Sequence, residues 1–172
     1  MITIIIPAYN CHTTINRTLS SLEAQTDKDF KVILVDDNSE TQLSEILKQY
    51  SFDITIIRKS NNEGCGMARQ TGINNVNTDY FTFLDSDDMF FPYTVSVMNN
   101  MIKYHPEYDI IHSFFIKEEF KDNHIVLTNV QDGFTWCHGK IYKKFFIDKF
   151  NIKNIPEVYY NEDGYLILYV QN

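Results

Sequence analysis

The chain has 172 residues, 44% of them hydrophobic and 15% aromatic, a composition that describes one globular domain with its own core and excludes a disordered polypeptide. A formal net charge of -8 leaves no basic face for general nucleic-acid binding, although an acidic protein still takes a phosphate-bearing ligand where a metal supplies positive charge locally. Three widely separated cysteines, Cys11, Cys65 and Cys137, have no metal-ligand spacing, and no apolar run approaches the roughly 20 residues that cross a bilayer, so the expectation is a cytoplasmic protein with reduced thiols, in peripheral contact with the inner face of the membrane at most.

Short apolar runs alternate with segments of helical period. ITIII (2–6) reads as a buried strand stopped by Pro7, and a helix is predicted over about 13–25, where Ile15, Leu19 and Leu22 fall on one face and Thr13 or Thr14 provides a cap. FKVILV (30–35) is a second strand, followed by DDNS and a short helix holding Leu43, Ile46 and Leu47. DITIIR (53–58) is a third, leading through the turn-rich SNNEGCG into a helix from about 67 to 75. YFTFL (80–84) is a fourth, and Pro92 suits the first turn of a helix that runs through about Tyr104. Alternation at these intervals predicts right-handed βαβ units, hence an α/β fold with a mainly parallel sheet covered by helices on both faces.

The pattern changes after Pro106. YDIIHSFFI (108–116) and HIVLTNV (124–130) are strand-like and separated by the polar KEEFKDN, which predicts a small antiparallel excursion. GFTWCHGKIY, a short helix KKFFIDKF, the loop NIKNIPEVYY and an acidic NED then lead into GYLILYVQN, which stays apolar almost to its end, so the chain is expected to stop where a larger relative continues.

Ligands of an open parallel sheet bind at the carboxyl ends of its strands. Four polar clusters follow the four predicted parallel strands: Tyr9 and Asn10; Asp36, Asp37, Asn38 and Ser39; NNEGCGMAR; and Asp85, Ser86, Asp87 and Asp88. In an extended chain residues i and i+2 face the same way, roughly 6 to 7 Å apart, so Asp85 and Asp87 can converge on one hard cation, and an all-oxygen site that borrows ligands from a phosphate suits Mg²⁺ or Mn²⁺. The alternative is an acidic turn that caps the next helix. A carboxylate reads a base N–H well and an aromatic ring covers a base face, which fits Asp37, Asp36 and Tyr9; helix capping and simple packing are the alternatives. Gly64 and Gly66 permit close approach of backbone to a ligand, and Arg69, one of only three arginines, suits a diphosphate partner or else an exposed pair with Glu63. His138 and Lys140 could line the acceptor or diphosphate side, Trp136 a sugar ring or the core. Lys140, Lys143, Lys144, Lys149 and Lys153 form a basic patch that is either a solvated face or a contact with an anionic surface.

The stretches IIIPAYN, ILVDDNS, NNEGCGMARQTGI, FLDSDD, WCHGKIYKK and NEDGYL, in this order, resemble the nucleotide-sugar domain of family 2 glycosyltransferases, which has the GT-A fold. The resemblance covers nearly the whole chain. It implies an inverting transfer of a sugar from a nucleoside diphosphate, a UDP-sugar first among candidates, to a hydroxyl of a carbohydrate or glycolipid acceptor, in polysaccharide or glycoconjugate synthesis. It implies a single domain over 1–172, with residues 1–105 binding the nucleotide-sugar and 106–172 forming a shortened acceptor side. Carried onto these positions, Tyr9 borders the base, Asp37 accepts its imide proton, Asp85 lies near ribose and metal, Asp87 is the principal metal ligand and Asp163 the catalytic base. Pro7, Asn10, Asp36, Gly64, Arg69 and Ser86 complete the implied donor site. Asp163 is also crowded by Glu162 and opens a predicted helix beside Tyr159, Tyr160 and Tyr165; capping that helix is its alternative role. Only nine residues follow Asp163, none of them His, where relatives often supply a further metal ligand.

Three rival readings stand beside this one. ILVDDNS is also similar to the acidic pair of phosphoacceptor receiver domains, but that pair follows the first strand and this one follows the second. A non-catalytic nucleotide-sugar binding module shares every donor feature. A nucleotidyltransferase shares the two-carboxylate logic, but no basic tract suited to a triphosphate is present.

Overall fold

The computed structural model describes residues 1–121, 124–130, 137 and 139–154. Five of its strands follow the alternation read from the sequence or sit beside it: β1 (Ile2–Ala8), β2 (Phe30–Asp36), β3 (Ile54–Arg58), β4 (Tyr80–Phe83) and β5 (Ile110–His112), with α1 (Ile15–Glu23), α2 (Leu43–Ile46), α3 (Cys65–Asn74) and α4 (Thr94–Tyr104) between them. A hairpin of β6 (Phe115–Lys121) and β7 (His124–Val130) comes next, then β8 (Lys140–Lys143) and α5 (Lys144–Lys149). The main sheet has the order β3-β2-β1-β4-β8-β5. Its first four strands are parallel, and β8 runs antiparallel to both β4 and β5.

Every residue of β1 is buried, which explains its unbroken apolar run: a central strand of a parallel sheet is covered on both faces. One face packs on α1 and α4, joining Ile4 and Ile6 with Ile15, Leu19, Leu22, Val95 and Met98. The other packs on α3 and α5, joining Ile5 with Ile73, Phe81, Phe83, Tyr142 and Ile147. The approach of α3 is close: a Cβ on Gly72 would lie 2.3 Å from Ile5 Cγ2.

Pro7 was expected to end the first strand, yet β1 continues through Ala8. The Leu84 amide donates to the Ile5 carbonyl at 3.0 Å and the Asp37 amide to the Ala8 carbonyl at 2.8 Å, so Pro7 presents its nitrogen to the β4 side, beyond the last β1–β4 pair. No ladder bond is lost there, and the proline is tolerated.

Three further expectations change. The predicted strand over 108–116 divides: β5 joins the main sheet while β6 turns away to pair with β7. The polar stretch read as their connection lies mostly inside β6, where Lys117, Glu118 and Glu119 pair with Thr128, Leu127 and Val126. KIYK, given no element by periodicity, is the strand β8, wedged between β4 and β5 because Ile141 and Tyr142 fill the two faces of the core. Buried Lys140 belongs to this strand and leaves the basic patch. Of the remaining patch, Lys143 donates to the Pro106 carbonyl at 2.8 Å, Lys144 pairs with Asp148 at 2.6 Å, and Lys149 lies 5.9 and 5.2 Å from the rings of Phe145 and Phe150.

Candidate functional site at the carboxyl ends of the parallel strands

Because β1 to β4 are parallel, the four polar clusters that follow them lie along one rim. Hydrogen bonds tie the clusters together. Asn10 has φ 48, and its amide donates to Ser39 Oγ at 2.9 Å while its Oδ1 accepts from the Glu40 amide at 2.9 Å, which fastens the β1 loop to the β2 loop. Tyr9, directly before it, is half exposed on the rim.

Asp36, which ends β2, and Asp37, which follows it, are both buried, and each is committed within the protein. Asp36 Oδ2 pairs with Arg58 Nη1 at 2.6 Å and Asp36 Oδ1 accepts from the Ser39 amide at 2.9 Å. Burial would push this carboxyl up, but the bonds from Ser39 and Arg58 outweigh it and hold the group below its ordinary range. Asp37 Oδ1 meets Lys59 Nζ at 2.7 Å, and Asp37 Oδ2 accepts from the amides of Glu63 and Gly64 at 3.1 and 2.7 Å. The loop after β3 therefore hangs on Asp37. Lys59, which sequence reasoning passed over, bridges Asp37 and Glu63. Gly64 caps α3 at φ 86, ψ 167, a conformation that favours glycine, and it brings the helix start against the β2 loop.

Helix α3 begins at Cys65, two residues before the expected start, so Arg69 falls in its second turn and not its first. It is buried, and neither exposed nor partnered by Glu63: its Nη2 donates to Asp85 Oδ1 at 2.9 Å. Asp85 and Asp87 do not extend the strand as an i, i+2 pair. β4 ends at Phe83, and the Asp88 amide donates to the Asp85 carbonyl at 3.1 Å, closing a turn. Asp85 is turned toward Arg69, whereas Asp87 is exposed.

A polar row on α1 and just beyond its end holds this turn. Thr18 Oγ1 donates to the Ser86 carbonyl at 2.9 Å, Ser21 Oγ accepts from the Phe90 amide at 3.1 Å, and Gln25 joins the Phe91 carbonyl and the Val95 amide at 2.8 and 3.0 Å. Cys11 sits beneath; burial raises its thiol pKa, partly opposed by a hydrogen bond with Ser86, so it remains a neutral thiol. Thr18, Ser21 and Gln25 sit at helical spacing among apolar residues, and that polar row inside a buried face was the available signal for a supporting role.

The donor groups along the rim are carboxylates, a serine hydroxyl, carbonyls and backbone amides. Carboxylates and a hydroxyl are ligands that Mg²⁺ and Mn²⁺ accept, so Asp85, Asp87 and Ser86 fit such an ion by chemistry. Among the described residues no group of three His, Cys, Asp or Glu side chains is gathered for a metal. Trp136, His138, Glu162 and Asp163 lie outside the described residues. Among those described, no helix is long and apolar enough to cross a membrane.

An uncharacterized glycosyltransferase of Haemophilus influenzae is 35% identical over 112 residues, covering 65% of this chain and 38% of the relative. This chain spans between 13% and 38% of the length of the curated relatives it matches. A structure of S. aureus TarS in complex with UDP-GlcNAc superposes with a TM-score of 0.81 at 22% identity, covering 98% of this chain and 52% of that one. The mannosyltransferase PcManGT from Pyrobaculum calidifontis, in complex with GDP-Man and Mn²⁺, gives 0.68 at 15% identity, covering 94% and 49%. Residues 3–159 match the family model described as "Glycosyl transferase family 2", and with the sheet order and rim above, the chain belongs to that family and has its GT-A fold.

Proposed function

We propose that the protein transfers a sugar from a nucleoside-diphosphate sugar, a UDP-sugar, to an acceptor hydroxyl, with inversion at the sugar carbon. The observation that supports this reading best is the joining of four rim clusters by hydrogen bonds at the carboxyl ends of four parallel strands, in a chain of this family. TarS in complex with UDP-GlcNAc favours uridine as the base. Tyr9 covers the base, Asp37 and its loop read the base edge, and Pro7, Asn10 and Asp36 shape that end of the site. Gly64 lets the start of α3 approach the diphosphate, where helix amides favour negative charge.

Asp87, with Asp85 and Ser86 beside it, would hold a divalent ion, for which the Mn²⁺ complex of PcManGT is the precedent. When bound, such an ion neutralises charge on the leaving diphosphate. Asp163 takes the proton from the acceptor hydroxyl, a step typically worth about 10² to 10⁴ in rate. The acceptor is a carbohydrate or glycolipid, met by residues 106–172, with the protein in the cytoplasm or against the inner face of the membrane.

A thermal-shift panel of UDP, GDP, ADP and their sugars, with and without Mn²⁺, tests the donor assignment. Uridine nucleotides are expected to stabilise the protein selectively in the presence of Mn²⁺. Indifference to every nucleotide overturns the reading. Stabilisation without hydrolysis or transfer of UDP-GlcNAc or other bound UDP-sugars leaves the binding-module reading in its place.

A further inference from the structure

The ion pair between α3 and the turn after β4 makes two neighbouring carboxylates unequal. Arg69 is only 2% exposed, and its guanidinium carbon lies 5.7 Å from the centroid of the Phe83 ring. That ring is itself fixed, 5.6 Å from Phe81 and 5.6 Å from Tyr142, both edge-on. The same guanidinium reaches Asp85 Oδ1 at 2.9 Å. A planar cation set beside a packed ring and bonded to a carboxylate has little orientational freedom, and it passes that constraint to its partner. Asp85, with its side chain 25% exposed, is thereby held and its charge is balanced. Asp87 lies in the same turn, is exposed, and makes no ion pair among the described residues.

Resting on the donor reading above, we propose that Arg69 is a positioning residue: it acts through Asp85 and does not itself contact the donor. By fixing the direction and charge of Asp85 it leaves Asp87 as the carboxylate available to a divalent ion, and it keeps the two acids from repelling each other in the absence of one. A lysine is a poor substitute, since a point charge on a flexible stem cannot both pack beside Phe83 as a plane and hold Asp85 in one direction.

A double-mutant cycle tests the inference, using calorimetric titration of the whole chain with UDP in Mn²⁺ and, as a metal-independent probe of the base end, UMP without metal. Arg69→Met and Asp85→Asn are each expected to weaken UDP binding in Mn²⁺ about tenfold, and together to be no worse than Asp85→Asn alone, while Arg69→Met changes UMP binding less than twofold. Arg69→Lys is expected to recover little of the loss. Should Arg69→Met fail to fold, Arg69→Lys, Asp85→Asn and their combination complete the same cycle. Additive losses, or a variant that binds UDP as the wild type does, overturn the positioning role while the donor reading stands. A wild-type protein that binds neither probe removes both.

Discussion

Asp36 and Asp37 are adjacent in the chain and opposite in what they hold. Asp36 pulls inward on Arg58 and Ser39; Asp37 pulls on Lys59 and the amides of Glu63 and Gly64. Removing the buried Asp36 carboxylate leaves the buried Ser39 amide without its acceptor and Arg58 without its ion pair, so Asp36→Ala is expected to cost about 1 to 3 kcal/mol at pH 7, read as a lower urea midpoint with unchanged slope. The pH dependence follows from the direction of the shift. The folded carboxyl sits below the unfolded value of about 3.9, so its contribution is complete above that pH and is lost as pH falls through the folded value. Between about pH 4 and pH 2 the urea midpoint of Asp36→Asn should therefore fall less steeply than that of the wild type. Asp163→Asn should retain UDP binding while kcat falls by about 10² to 10⁴. Equal loss of binding and turnover would remove Asp163 from the catalytic role.

At the scale of elements, helices α1 and α3 grip the rim by different means. α1 uses polar side chains on an otherwise apolar face, and Gln25, just beyond its end, joins the Phe91 carbonyl to the Val95 amide at the start of α4. Gln25→Leu leaves the buried Val95 amide unsatisfied, while the Phe91 carbonyl still accepts from the Thr94 amide. It should cost about 1 to 3 kcal/mol and should weaken UDP binding in Mn²⁺ more than UMP binding without metal, because the displaced turn bears Asp87. α3 instead approaches β1 through the absence of a side chain. Gly72→Ala forces a methyl onto Ile5 and should cost about 1 to 3 kcal/mol by chemical denaturation. Ile5→Ala should relieve the clash, so the two substitutions together should cost less than the sum of each alone.

At the scale of the molecule, a protein of net charge -8 is asked to bind a multiply charged anion. Local compensation must outweigh long-range repulsion, and the proposed divalent ion provides it at the acidic turn. The expected result is that UDP at a hundred times its Kd adds about 2.7 kcal/mol to the unfolding free energy in Mn²⁺, seen as a raised Tm, and that EDTA abolishes the gain. Stabilisation by UDP that survives EDTA would assign the compensation to protein cations such as Lys59 instead.

The sequence alone determined what depends on short-range pattern: the alternation of β1 to β4 with helices, and the delivery of polar clusters to the strand ends. Strand periodicity and βαβ handedness require nothing beyond neighbouring residues and the chirality of the chain. It left open everything that depends on which distant groups meet. The partner of Arg69 stands 16 residues away at Asp85, and the amide that caps Asp37 stands 27 residues away at Gly64. β8 reads as no element in KIYK, since four residues are too few for a period to register, and only the gap between β4 and β5 makes them a strand. Tertiary structure decided these points because a charge buried among several carboxylates is satisfied by whichever one the sheet order brings within reach, and the order of strands in space is not written in their order along the chain.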